Sequence, residues 1–232
     1  MFNKFEKFGT FIKRENTIFM ILQDFINAGL EFIVIGGYAV SAYKHRFSVD
    51  ADVVIKKEDK AKFEDILSER KFVKIKALNL NHVYAPEFAS YKLNEKLPVT
   101  IDLLIGGIGS RTTDASFSFA QLREYSENKK IVGVEKEVIV KIPKREFLII
   151  LKLHSGRLTD FRDIAALSKN LDIELIKKFI WIGKISIVKD NIKRLLSLIE
   201  EKGFIDSFKG VFIGKKYDID PDEVKKLKKL LL

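Results

Sequence analysis

Residues 32–55, FIVIGGYAVSAYKHRFSVDADVVI, decide the fold. The stretch opens on an apolar run that stops at Gly36-Gly37 and closes on Val53-Val54-Ile55, reached through Asp50-Ala51-Asp52. Short β-branched runs bounded by turn residues read as buried strands. EFIVIGG is therefore one strand, YAVSAYKHR a short helix after the glycine turn, and FSVDADVVI a second strand. In a strand, side chains alternate between faces. Arg46, Ser48, Asp50 and Asp52 then share one face, and Phe47, Val49, Ala51 and Val53 the other. A half-buried strand with a solvated polar face is the plain account of that alternation. Two details weigh against it. Aspartate is disfavoured in strands, and like charges on one face destabilise unless a cation offsets them. The run Val53–Ile55 is also apolar on both faces, so the aspartates stand at the mouth of a buried element.

Outward from this stretch, residues 13–29 (KRENTIFMILQDFINAG) carry apolar positions at helical spacing and end at Gly29, a C-cap signal. Phe2, Phe5, Phe8 and Phe11 recur every third residue and read as docking an N-terminal helix on the core. KEDKAKFEDILSERK is a charged amphipathic helix; FVKIKAL, HVYAPEFASYKL and LPVTIDLLIGG are strands. Further on, a hairpin turning at Gly133 or Glu135-Lys136 leads through Pro143 into a helix. LTDFRDIAALSKN follows, with Thr159 as its cap, and then DIELIKKFIWIG, SIVKDNIKRLLSLIEEKG and DPDEVKKLKKLLL. The expected fold class is mixed α/β, a sheet with flanking helices, plus a helical C-terminal half. The expected domains are 1–140 and 141–232.

The chain has 232 residues, 47% hydrophobic, enough for one sizeable core or a core with a smaller appendage. No apolar run approaches the roughly 18–20 residues of a membrane span. The N-terminus, charged throughout, does not read as a secretory leader. Absence of cysteine excludes disulfides, thiolate catalysis and cysteine zinc sites, and makes the cytoplasm the default location. The net charge of +10 fits a polyanionic partner, or general lysine richness; composition weighs the two evenly.

Magnesium suits the Asp50/Asp52 pair, because it takes one or two carboxylates and completes its shell with water and phosphate oxygens. Two such ions sharing a carboxylate cluster can activate a hydroxyl and neutralise a leaving pyrophosphate. VTIDLLIGG supplies a third acid, Asp102, inside an apolar strand. A buried unpaired charge is expensive, so Asp102 calls for a metal or for a lysine or arginine partner. Gly36-Gly37 precedes a helix whose exposed N–H groups could bind phosphate, but it matches neither the dinucleotide fingerprint nor the P-loop, and alone it means a tight turn.

Gly36-Gly37, Arg46-x-Ser48-x-Asp50-x-Asp52 and Asp102 together resemble the DNA polymerase β nucleotidyltransferase superfamily. More narrowly, REFLIILKLHSGRLTDFRDIAAL resembles the AbiEii/AbiGii-type toxin nucleotidyltransferases, with Lys152, Arg157, Asp160 and Asp163 at the matching places. The similarity covers about residues 30–170. It implies a glycine turn that holds the triphosphate, and Asp50, Asp52 and Asp102 binding two Mg²⁺ (or Mn²⁺) ions. It also implies Lys152 on the nucleotide phosphates and Asp160 orienting the site. Read from the residues alone, Lys152 could equally pack its stem on the core with its ammonium in solvent, and Asp163 could be a first-turn helix acid. His45, His82 and His154 lack zinc-site spacing, and His154 reads as structural.

The expected function is metal-dependent transfer of a nucleoside monophosphate from an NTP to an acceptor hydroxyl. Asp50, Asp52, Asp102, Lys152 and Asp160 are the catalytic candidates, and Gly36, Gly37, Arg46, Ser48 and Lys152 the nucleotide-binding ones. A tRNA end, a protein hydroxyl and a small antibiotic-like alcohol are all compatible acceptors, with basic charge tilting towards RNA. An antitoxin partner is implied by the resemblance alone, and no membrane partner is expected. The rival is a non-catalytic nucleotide- or RNA-binding module that keeps the fold.

Overall fold

The computed structural model describes residues 4–78, 87–210, 212 and 219–232. His82 and Phe2 fall outside them. Helix α1 (Lys4–Asn27) is one continuous helix rather than two pieces, and contains no proline. Ile18, Ile21, Leu22 and Phe25 are fully buried at the i, i+3, i+4, i+7 spacing of an amphipathic stripe. Gly29, at φ 68°, closes the helix by donating its amide to Ile26 O at 2.9 Å.

The next elements are β1 (Phe32–Ile35), α2 (Gly36–Ser41), β2 (Asp50–Ile55), α3 (Lys60–Glu69), β3 (Val73–Leu78), β4 (Glu87–Leu93) and β5 (Val99–Ile105). Their strands form a mixed five-stranded sheet in the order β1-β2-β5-β4-β3. β2 and β5 run parallel at its centre, and every other pairing is antiparallel. The α1 and α3 side carries the core: Phe25, Phe32 and Phe63 pack edge-to-face with ring centroids 4.7–6.2 Å apart. β5 alternates accordingly, with Val99, Ile101, Leu103 and Ile105 buried and Thr100, Asp102 and Leu104 half-buried.

The second acidic strand is shorter than the sequence suggests. β2 starts at Asp50, because β1 offers no partner beyond Ile35↔Asp52 and β5 none before Thr100↔Asp50. Val49, expected on the buried face, is 64% exposed.

Residues 108–124 carried no expectation of strand or helix; with Gly107 they form β6 (Gly107–Gly109), β7 (Ser116–Ser118) and α4 (Phe119–Glu124), the last with a Ser118/Gln121 capping box. β8 (Ser126–Val132) and β9 (Glu137–Pro143) are the anticipated hairpin, closed by Gly133 N donating to Lys136 O at 2.8 Å. Pro143 ends β9 instead of opening a helix. Helices α5 (Arg145–Ser155), α6 (Leu158–Leu167), α7 (Ile173–Ile180), α8 (Ile185–Leu198), α9 (Lys202–Asp206) and α10 (Pro221–Lys225) follow, and Lys226–Leu231 is a 3₁₀ segment. Thr159 lies inside α6; the cap is Arg157, whose amide is accepted by the Asp160 carboxylate.

The chain divides into two compact units, Met1–Ile108 with Phe117–Ile142, and Gly109–Ser116 with Pro143–Leu232. In the second unit, His154 is 1% exposed and its Nδ1 lies 2.8 Å from Thr113 Oγ1, while Ser110 Oγ donates to the His154 carbonyl at 2.9 Å. These bonds fasten the 109–116 segment to α5. Among the described residues, no helix is long and apolar enough to cross a membrane.

Candidate functional site

The parallel register of β2 and β5 sets Asp52 opposite Asp102 and Asp50 opposite Thr100. Paired residues of neighbouring strands point to the same side, so all three carboxylates stand on the sheet face turned away from α1 and α3. On β4, Ser90 is paired with Asp102 and donates its hydroxyl to Asp102 Oδ1 at 2.6 Å. Burial pushes the Asp102 carboxyl above the ordinary range, Asp50's charge adds to this, and Ser90 and Lys76 pull the other way. Among the described residues Asp102 makes no salt bridge, and Lys76 acts on it only through its charge. Ser48 Oγ lies 3.5 Å from Asp50 Oδ1.

The double glycine has a steric reason. A side chain on Gly36, which sits at φ 64°, would overlap the Asp52 carboxylate. One on Gly37 would overlap the Ser48 hydroxyl and stand 3.2 Å from Arg46 Nη2. Gly36, Gly37, Arg46, Ser48 and Asp52 are thus brought together as one packed group. The amides at the start of α2 have no side-chain cap, since Ile35 occupies the N-cap position.

Three participants escaped the sequence reading. Arg14, on α1, is 4% exposed with its guanidinium 5.4 Å from the centre of the Phe11 ring; burial lowers its pKa and the charges of Tyr38 and Asp50 oppose that. Glu15 beside it is 1% exposed. Ser90 is the third. For Arg14 and Glu15 the signal was present, because both continue the apolar stripe of α1 backwards from Ile18. On the carboxylate face, Lys92 is paired with Thr100 and Lys76 with Ser90.

Lys152 and Asp160 belong to the second unit. Lys152 is 6% exposed, with its ammonium 2.6 Å from Asp163 Oδ2 and 3.3 Å from Asp160 Oδ1, so it does not reach solvent as a core-packed stem would. Arg157 Nε adds a bond to Asp160 Oδ2 at 2.8 Å. Burial pushes the Asp160 carboxyl up, but Arg157 and Lys152 outweigh it and hold it below the ordinary range. Asp163, which could have been a first-turn helix acid, is instead a direct partner of Lys152.

The donor set on β2 and β5 is oxygen-only, and burial together with the charge of Asp50 raises Asp102. That chemistry fits a hard divalent cation such as magnesium. Among the described residues, no three His, Cys, Asp or Glu side chains gather closely enough to enclose an ion. The adjacent pair Asp52 and Asp102, completed by water and substrate oxygens, is the set that fits.

No family model matches the chain, and no curated protein matches it. Among solved structures, it is similar to the lincosamide antibiotic adenylyltransferase LnuA with lincomycin bound. That match has 17% identity and a TM-score of 0.44, over 68% of this chain and 98% of that one. It is also similar to ANT(2'')-Ia in complex with adenylyl-2''-tobramycin, at 14% identity and a TM-score of 0.49, over 77% of this chain and 97% of that one. Likenesses this distant carry no argument about function, which rests on the residues described above.

Proposed function

We propose that the chain is a metal-dependent nucleotidyltransferase that moves a nucleoside monophosphate from an NTP to an acceptor hydroxyl and releases pyrophosphate. The observation that carries this reading is Asp52 set beside Asp102 on parallel strands, with Asp102 desolvated and bonded to a serine rather than to a cation. Structural carboxylates are ordinarily paired when buried.

Asp52 and Asp102, with Asp50 at the mouth of the strand, would hold Mg²⁺ or Mn²⁺, two ions in the full site. A divalent metal held there would supply charge neutralisation to the transfer. Asp102 is the base: its raised pKa suits proton removal from the acceptor hydroxyl, and Ser90 occupies Oδ1, which leaves Oδ2 to take the proton. Ser48 and the first amides of α2 position NTP phosphates, and Arg46 offsets charge on the departing pyrophosphate. A role for Lys152 on phosphates would require its ammonium to leave Asp160 and Asp163. We assign Lys152 and Asp160 to the internal support of the second unit.

The cations on the carboxylate face, Lys76 and Lys92, support an anionic acceptor, such as an RNA end, over a polycationic antibiotic. A toxin–antitoxin setting rests on the resemblance of residues 145–167 alone, and growth arrest on induction, relieved by Asp50→Ala, is its test.

The deciding experiment is pyrophosphate release from each of the four NTPs with Mg²⁺ or Mn²⁺, with and without total tRNA, beside Asp50→Ala. Metal-dependent release that the variant lacks is the expected result. Metal-dependent NTP binding with no release under any condition would favour the non-catalytic module, and full activity in Asp50→Ala would sink the mechanism.

A further inference from the structure

Residues 42–49 join α2 to β2 without ladder pairing to the five-stranded sheet, yet they present Arg46 and Ser48 and lead directly into Asp50. Apart from a lone β-bridge at Arg46, α1 supplies the contacts that hold the segment. His45 Nε2 lies 2.8 Å from Glu15 Oε1. The Phe47 ring stacks on Phe11, with centroids 5.4 Å apart and planes 21° apart, and meets Phe8 edge-on at 5.8 Å. Ser41 Oγ pins the segment from its other side by donating to the Arg46 carbonyl at 2.7 Å. His45 and Phe47 thus grip α1, while Arg46 and Ser48 turn to Gly37.

Glu15 is the centre of that grip. It is 1% exposed, its second oxygen accepts the Val134 amide at 2.8 Å, and Gly133 is packed so closely against it that a Cβ there would overlap the carboxylate. One carboxylate therefore ties together α1, the segment before β2 and the β8–β9 turn. A buried carboxylate of this kind is a poor source of stability compared with an apolar side chain of its size. Its oxygens are directional, however, and hold the His45 ring at hydrogen-bond distance.

We propose that Glu15 is a positioning residue for the acidic site, acting through His45 on Arg46, Ser48 and Asp50; the inference rests on the nucleotidyltransferase reading for its kinetic arm only. The test compares the full chain with Glu15→Ala, Glu15→Gln and His45→Ala. Its readouts are amide hydrogen exchange across residues 44–50 and the kcat and KM of pyrophosphate release. Glu15→Ala is expected to raise exchange across 44–50 at least tenfold, with β5 and α5 unchanged, and to lower kcat about tenfold with less change in KM for NTP. Glu15→Gln, which can still accept from Val134 and bond the imidazole, is expected to restore most of both. His45→Ala removes the same link from its half-buried end, so it serves if Glu15→Ala fails to fold. Unchanged exchange at 44–50 overturns the proposal, and so does raised exchange with wild-type kcat. If the wild-type chain releases no pyrophosphate with any NTP, the reaction is at fault, and the exchange arm alone decides the grip.

Discussion

On β5, Asp102 sits between Ile101 and Leu103 with a serine hydroxyl as its hydrogen-bond partner; on α5, Lys152 sits between Leu151 and Leu153 with two carboxylates. Both are charges within apolar elements, and sequence alone presents them as the same kind of anomaly. The second unit closes its charges on one another: Lys152, Asp160, Asp163 and Arg157 form a network in which each ion faces an opposite one. In the first unit, burial above all, with the charge of Asp50 added to it, lifts Asp102 above the ordinary carboxylate range. A buried network closed on itself points to structure, and a buried acid raised above its ordinary range, such as Asp102, points to a functional site.

Four measurements can break or sharpen that contrast. Asp52→Ala should reduce pyrophosphate release by on the order of a hundred- to a thousandfold, with the far-ultraviolet circular dichroism unchanged. Retained turnover would remove the first unit's claim to chemistry. Lys152→Met should destabilise the chain by about 3–5 kcal/mol in urea unfolding, because it removes the buried cation that Asp160 and Asp163 share. A stable but inactive Lys152→Met would show that the network is not structural.

The pH dependence of stability separates the units further. Burial pulls His154 down from its ordinary value to about 4. Between about pH 6.5 and 4 the unfolded chain then binds the extra proton, so stability should decline as pH falls through that window and level off below it. His154→Gln should flatten that part of a melting-temperature profile, and an unaltered profile would refute the assignment. The smallest effect belongs to Asp102→Asn. Because the folded carboxyl is raised, its ionised form opposes folding at neutral pH and the opposition fades as pH falls. The amide should therefore raise the melting temperature by about 2 °C, while transfer is lost. A lower melting temperature would mean that Asp102 is already compensated.

Much of this site was legible along the chain, because its strongest signals are local. Glycine is required where Asp52 and Ser48 approach the backbone, and an acid in an apolar strand stands out by itself. The start of β2 was not legible, since a strand exists only where a neighbour pairs with it, and neither β1 nor β5 extends that far. Ser90 was hidden for a related reason: its meeting with Asp102 depends on the β4–β5 register, which no short motif specifies. Lys152 was conspicuous, but the acids eight and eleven residues later, which form its ion pairs, had been given separate tasks. Arg14 and Glu15 show the opposite failure. Their helical period placed them on the buried stripe, and their charge concealed it.

The parallel pairing of β2 with β5 also governs when this site can come into being. Asp52 and Asp102 are register partners separated by fifty residues of chain (102 − 52), with the β3–β4 excursion between them. Such a contact forms only after a long loop has closed, and pairings of this kind are slow. A chain growing on the ribosome would carry Asp50, Asp52 and the glycine turn well before Asp102 emerged. The pair proposed to be catalytic would be assembled late, by completion of the sheet, and no shorter intermediate would hold both halves of it.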